Sequence, residues 1–269
     1  MLFFTKNELL ITNPAHYLPI LSFFFLLCFK MLNELMLNKY AHGTRILVAT
    51  DCVILGFDGE EIKVLLIKRN FEPEKGKWSL LGGFVNEDED LIVGANRIMY
   101  ELTGLENVYV EQLQTFGEVK RDPVERTLSV CFFSLINIHD HDKELSRSQN
   151  GYWVSLKNIP NLIFDHNKML NLALERLRYK AALHPIGFEL LPEKFTIPQL
   201  QKLYEAIYNR QENKIDRRNF SRKILSTKLL IDTGEKNENS ATKKAILYKL
   251  DVQKYKEHFN AFLNFISDF

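Results

Sequence analysis

The sequence predicts an α/β (α+β) chain: an α/β/α sandwich on a mixed sheet, followed by a smaller unit of two helices and a hairpin. Three observations carry this expectation. Strand-like runs rich in β-branched and aromatic residues interleave with two amphipathic segments between residues 46 and 183, an order that gives a sheet covered by helices on both faces. "HPIGFELLPEK" (184–194), with Pro185, Gly187 and Pro192, then interrupts the pattern, as punctuation between two units does. Beyond it the charge changes sign: residues 210–256 hold 13 Lys/Arg against 6 Asp/Glu, a net of +7, and the rest of the chain holds 22 against 28, a net of −6. The formal net charge of +1 conceals this asymmetry, which points to a polyanionic partner for the second unit. The expected organisation is an N-terminal extension (1–40), a first domain (41–183), a linker (184–194) and a second domain (195–269).

A chain of 269 residues that is 46% hydrophobic has material for two cores. Cys28, Cys52 and Cys131 show neither paired nor metal-ligand spacing, which suits a reducing, cytoplasmic setting. The N-terminal "LPILSFFFLLCF" (18–29) is a 12-residue apolar run, short of the roughly 20 residues that a membrane helix needs. Its leading stretch is barely basic and no small-residue cleavage site follows. The favoured reading is that translation begins at Met31 or Met36, with a membrane-associated tail or a cleaved signal as alternatives; no membrane partner is expected.

In order, "ILVATDCVILGF" (46–57) and "EIKVLLIKR" (61–69) read as strands joined by a turn at Asp58-Gly59. "KWSLLGGFV" leads into a pair of glycines, and residues 89–102 form a helix with Leu91, Ala95, Ile98 and Leu102 on one face. "VYVEQLQTFGEV", "TLSVCFFSLINI" and "YWVSL" are further strands. "FDHNKMLNLALERLRYKAAL" is a helix expected to be capped by Asp165, with Leu170, Leu174, Leu177 and Ala181 as its apolar stripe.

The stretch "GGFVNEDEDLIVGANRIMYELTGL" (82–105) resembles the signature of Nudix hydrolases through Gly83, Glu89, Arg97, Met99, Glu101, Gly104 and Leu105. The resemblance extends over residues 45–180, with "NFEPEKGKWSLLGGF" similar to the family's entry loop and "YWVSLKNIPNLIFDH" to its closing strand and final helix, and it implies the Nudix sandwich. In that family glutamates following the arginine hold Mg²⁺ or Mn²⁺. Ile98 and Leu102 stand at two of those places, four residues apart and hence on one helical face. Two branched alkyl groups cannot coordinate a cation, so the box reads as a remnant (Gly83, Glu89, Arg97, Glu101, Gly104) of a binding pocket that has lost its chemistry. No cofactor or catalytic residue is expected. The alternatives are an ordinary packing unit, or a working hydrolase of nucleoside diphosphate derivatives such as ADP-ribose. That hydrolase would use Mg²⁺ and displaced carboxylates among Glu87, Asp88, Glu89, Asp90 and Glu118. Arg69, Glu118 and Arg121, at strand ends and turns flanking the box, are the candidate ligand-binding residues.

In the second domain, "FTIPQLQKLYEAIYN" (195–209) starts at a cap-like Thr196 with Pro198 in the first turn, and Leu200, Leu203 and Ile207 share a face. "DRRNFSRKILS" (216–226) starts at Asp216, with Phe220, Ile224 and Leu225 expected inward and Arg217, Arg218, Ser221 and Arg222 on the opposite side. "KLLIDTGE" and "KKAILYKLD" read as strands flanking a polar tip (234–244) near Lys236, Lys243 and Lys244. Helix, turn, basic helix and hairpin is the order of a winged helix-turn-helix. Arg217, Arg218, Asn219, Ser221, Arg222 and Lys223 are candidates for contacting duplex DNA, with Lys243 and Lys244 on its backbone. The alternatives are a solvated basic face or a surface that docks an acidic protein.

Residues 45–251 taken together resemble transcriptional regulators that pair a degenerate Nudix domain with a C-terminal winged helix, a group controlling NAD metabolism or the use of sugars such as arabinose. The resemblance implies a homodimer that binds a double-stranded operator and senses a small effector, either an arabinose-like sugar or an ADP-ribose-like nucleotide. With only two arginines in view for a phosphate, the expectation tilts toward the neutral sugar.

Overall fold

The computed structural model describes residues 25–32, 43–141, 151–183, 190–208, 215–237 and 245–257. The chain divides into two compact units, Met1–Arg45 and Ile46–Phe269. Within the first, residues 25–32 are helical, and Phe25, Leu26, Phe29 and Leu32 are exposed. The rest of the apolar run lies outside the described residues. Among the described residues no helix is long and apolar enough to cross a membrane.

The second unit opens with β1 (Leu47–Phe57) and β2 (Ile62–Lys68). Their turn is built as the sequence indicates: Asp58 Oδ1 accepts from the amides of Glu60 and Glu61, and Gly59 takes a φ of 96°, a region where only glycine is at ease. β3 (Trp78–Ser79) and β4 (Leu81–Phe84) lead to α1 (Leu91–Thr103). β5 (Glu111–Phe116), β6 (Thr127–Asn137) and β7 (Gly151–Ser155) then precede α2 (His166–Leu183). β1 and β6 pair in parallel through Leu47↔Thr127 to Phe57↔Asn137, and the other pairings are antiparallel. The path β3-β2-β1-β6-β5, with β4 on β1 and β7 on β2, makes the expected mixed sheet.

Strand side chains alternate between faces, and the two cores follow that alternation. Val53, Leu55, Val64 and Leu66 face one core, in which α2 contributes Leu170 and Leu177. Cys52, Ile54, Leu65 and Ile67 face the other, closed by Ala95 and Met99 of α1. Cys52 and Cys131 are free thiols, and burial pushes both well above the ordinary cysteine value.

α3 (Ile197–Ile207), α4 (Arg217–Ser226), β8 (Leu230–Asn237) and β9 (Ala245–Leu250) form the winged helix. α3 starts with a complete capping box, in which Thr196 and Gln199 each satisfy the other's backbone amide. β8 and β9 pair antiparallel, and Phe195 adds a bridge to Tyr248 through bonds of 2.9 and 2.8 Å. Leu200, Leu203 and Ile207 are buried as expected, but in the same core as Leu66 and Leu177. Leu190 and Leu191, within the expected linker, are buried there too; residues 184–189 lie outside the described residues.

Two expectations are corrected. Leu225 is 41% exposed rather than inward, because Phe220 and Ile224 already fill the buried stripe of a ten-residue helix. Asp165 opens α2 with its carbonyl, which accepts from Lys168 and Met169. Its carboxylate is gripped by Arg121 rather than serving as the expected cap.

Candidate functional site

A cleft opens beside the start of β1, lined by Asp51, Arg69, Phe71, Gly82, Phe84, Arg121 and Phe164 among others. Ala49 and Asp51 share a strand face with Val53, so the cleft lies over the sheet face opposite α1. No side chain of α1 lines it.

Its floor is a buried polar cluster. Arg121 donates from Nε to Asp165 Oδ2 at 3.0 Å and from Nη2 to Asp165 Oδ1 at 2.8 Å, and it approaches Asp51 Oδ2 at 3.4 Å. Ser129 Oγ donates to Asp51 Oδ2 at 2.6 Å. Desolvation works against the Arg121 charge, but its hydrogen bonds to Asp165 and the nearby Asp51 and Asp165 charges outweigh this and raise its pKa. His166 Nδ1 accepts the Leu80 amide at 3.1 Å, so in the neutral ring the proton sits on Nε2, which faces Asp51 Oδ1 at 3.5 Å. Burial lowers the His166 pKa, against the pull of Asp51 and Asp165. Gly82 makes room for this cluster: a Cβ there would lie 2.0 Å from Asp51 Oδ1.

Arg69 sits at the rim. Its guanidinium carbon lies 3.8 Å from the centre of the Phe71 ring and 5.6 Å from that of Phe164, and its Nε donates to the Phe71 carbonyl. Phe164 holds a φ of 50°, a conformation that costs a bulky residue on the order of 1–3 kcal/mol. Glu118, the third candidate, lies outside the cleft: it is exposed and pairs with Lys168 at 2.8 Å, on the loop beyond β5.

The box helix has a different use for its charges. Arg97 donates to both oxygens of Glu89 at 2.9 and 2.5 Å, to Glu101 at 3.1 Å and to the Phe84 carbonyl at 3.0 Å. Glu89 also accepts the Asn86 amide, and these bonds draw its pKa down to about 2. Ile98 is buried, 3.1 Å from where a Cβ on Gly83 would sit, and Leu102 packs on the α1-side core. Among the described residues no group of three or more His, Cys, Asp or Glu is placed to hold a metal ion. The donor set does not fit the Mg²⁺ or Mn²⁺ of Nudix hydrolases: two positions are aliphatic and Glu89 is committed to Arg97.

On the winged helix, Asp216 Oδ1 accepts the Asn219 amide at 2.8 Å and caps α4. Arg217, Arg218, Asn219, Arg222 and Lys223 are exposed, whereas Ser221 is half-buried. Arg222 donates to Asn219 Oδ1 at 2.6 Å. Lys243 and Lys244 lie outside the described residues.

Family models match both parts of the chain, the NUDIX domain over residues 45–173 and the NrtR DNA-binding winged helix domain over residues 187–250. The "ADPR responsive transcriptional repressor NtrR" of Acinetobacter baylyi is 30% identical over 223 residues, spanning 81% of this chain and 88% of that protein. The chain belongs to the Nudix-related transcriptional regulators. A member of the group from Shewanella oneidensis, NrtR crystallised with a 27mer DNA, is 32% identical, with a TM-score of 0.67 over 76% of this chain and 93% of that one. The Nudix half also resembles an enzyme, the ADP-ribose pyrophosphatase of Methanocaldococcus jannaschii, at 32% identity over 141 residues, 52% of this chain and 80% of the enzyme.

In this Nudix-related regulator the structure brings Arg69 and Arg121 into one cleft, along with Asp51, Phe71, Phe84, Phe164 and His166, which the sequence had not singled out for the site. Asp51 left a trace, an acid in the middle of an otherwise apolar strand, since a buried carboxylate demands partners. The aromatic lining left none, because its residues come from three separate segments.

Proposed function

We propose that the protein is a DNA-binding repressor whose winged helix reads a duplex operator and whose Nudix domain senses ADP-ribose or a similar nucleotide without hydrolysing it. The observation that carries the reading is the exposed basic face of α4, where Arg217, Arg218, Asn219, Arg222 and Lys223 stand over a foot formed by Phe220 and Ile224. Ten residues span about 15 Å, enough to lie in a major groove about 12 Å wide. Arginines and Asn219 suit base edges and phosphates.

The relatives' names point to the class of effector. The repressor of Acinetobacter baylyi responds to ADPR and the archaeal relative is an ADP-ribose pyrophosphatase, which moves the reading from a neutral sugar to a nucleotide. The cleft supports it with the exposed rings of Phe71 and Phe84 for a base and with Arg69, which makes no ion pair among the described residues, for a phosphate. As a homodimer in the cytoplasm, the protein would place its two recognition helices on half-sites about 34–36 Å apart or a multiple of that distance.

Calorimetric titration with ADP-ribose in EDTA, together with an assay for AMP release in Mg²⁺, tests the sensor half. Binding in EDTA with no AMP formed is the expected result. Metal-dependent turnover at an enzyme's rate would establish the hydrolase instead.

A further inference from the structure

The cleft and the DNA-binding helices are joined by a continuous path through α2. Three consecutive residues at its start each engage the cleft. Phe164 lines it in a left-handed conformation, Asp165 is held bidentately by Arg121, and His166 is fixed between the Leu80 amide and Asp51. Twelve residues further on, about 18 Å along a helix, Arg178 Nε donates to the Ile207 carbonyl at the end of α3, and Tyr208 Oη donates to the Arg178 carbonyl, both at 3.3 Å. Between these ends Leu170, Ala173 and Leu177 share one core with Leu200, Leu203 and Ile207. A second bridge joins the domains, the Lys202–Glu60 ion pair. It lands on the β1–β2 turn, at the opposite end of β1 from Ala49 and Asp51, and touches nothing in the cleft.

We infer that α2 is the element that couples the cleft to the winged helix, with the Arg121–Asp165 pair as the latch setting its position and the Arg178–Ile207–Tyr208 contacts as its output. This rests on the nucleotide-sensing reading above. A ligand shifts a protein only through contacts that differ between its states. Phe164 and Arg121 both line the cleft, so an occupant would bear on two residues that act on the first residues of α2. The Phe164 backbone is under strain and the latch is buried, a pairing that favours two discrete arrangements over gradual yielding. A moved α2 carries the end of α3 with it, and α3 shares its core and its Tyr204–Phe220 ring contact with α4.

The test measures coupling, the ratio of operator affinities without and with saturating ADP-ribose, on the full chain. In the native protein that ratio should lie in the range of about 5–150 that allosteric systems show. Arg178→Met combined with Tyr208→Phe removes the output contacts from a solvent-accessible edge. It should leave ADP-ribose affinity and ligand-free operator affinity within about twofold and pull the ratio toward one. Asp165→Asn, which weakens the latch while keeping its shape, should lower the ratio as well. Lys202→Met, which removes the ion pair to Glu60, should leave it unchanged. Full coupling in the double variant, or its loss in Lys202→Met instead, would overturn the inference while leaving the sensing function intact. A native protein whose operator affinity ignores ADP-ribose would overturn the functional reading and this inference together.

Discussion

His166 has a buried imidazole whose Nδ1 is committed to accepting the Leu80 amide, and burial depresses its pKa. The unfolded chain therefore takes up a proton near pH 6.5 that the folded chain refuses. With more protons bound in the unfolded state, stability rises with pH. The His166 contribution is complete above the unfolded value and is lost as pH falls from there toward the depressed folded value. Chemical denaturation at pH 7.5 and pH 5.5 should show a loss of stability at the lower pH that shrinks in His166→Gln. An identical loss in that variant would assign the effect to other histidines. On the proposed DNA-binding face the residue to test is Arg218, exposed near the start of α4. Arg218→Ala should lower operator affinity by about 1–3 kcal/mol and relax sequence preference, the cost of a lost base contact. An equal loss on random duplex would make Arg218 a phosphate contact. Gly82 shows how one absent side chain serves a site, since Asp51 fills the space that its Cβ would occupy.

At the scale of elements, α1 and α4 are both fixed at their N-terminal ends, by different means. In α1 the Asp90 side chain makes no capping bond, and the Glu89–Arg97 pair ties the preceding loop to the helix instead. In α4 the Asp216 carboxylate caps directly, so Asp216→Ala should cost the winged helix about 1 kcal/mol, measured as faster amide exchange at Asn219 and Phe220. Unchanged exchange there would show that packing of Phe220 and Ile224 holds the helix start unaided. The elements were legible in the sequence because their signals are local: strand runs rich in β-branched and aromatic residues, a cap-like Thr196 with Pro198 in the first turn, an Asp58-Gly59 turn. The box could be read as stripped of metal ligands because Ile98 and Leu102 share a helical face. What stayed illegible was tertiary: the expected Asp165 cap is gripped by Arg121, 44 residues away along the chain, and the placement of the cleft opposite α1 depends on which face of β1 carries Asp51. Leu225 was misplaced because a helix of ten residues buries a narrower stripe than its apolar spacing suggests.

Taken whole, the Nudix domain and the winged helix are built on a shared interior. Leu200, Leu203 and Ile207 of the winged helix lie in one core with Leu66 and Leu177 of the Nudix domain, so the two should lose structure together. Leu203→Ala should cost about 2–5 kcal/mol and raise amide exchange in β2 and α2 as well as in α3; loosening confined to α3 would show independent domains. Under the proposed function, a shared core gives an occupant of the cleft a route to bias the placement of α4 through packed side chains. The most direct test of this account is fluorescence anisotropy of a labelled duplex that the protein has selected from a random pool, titrated in EDTA with and without ADP-ribose. Tight, salt-sensitive binding to the selected duplex, weaker binding to a scrambled one, and an operator affinity that falls when ADP-ribose is present are the expected results. Equal affinity for both duplexes, or an operator affinity that ADP-ribose leaves unchanged, would contradict the account.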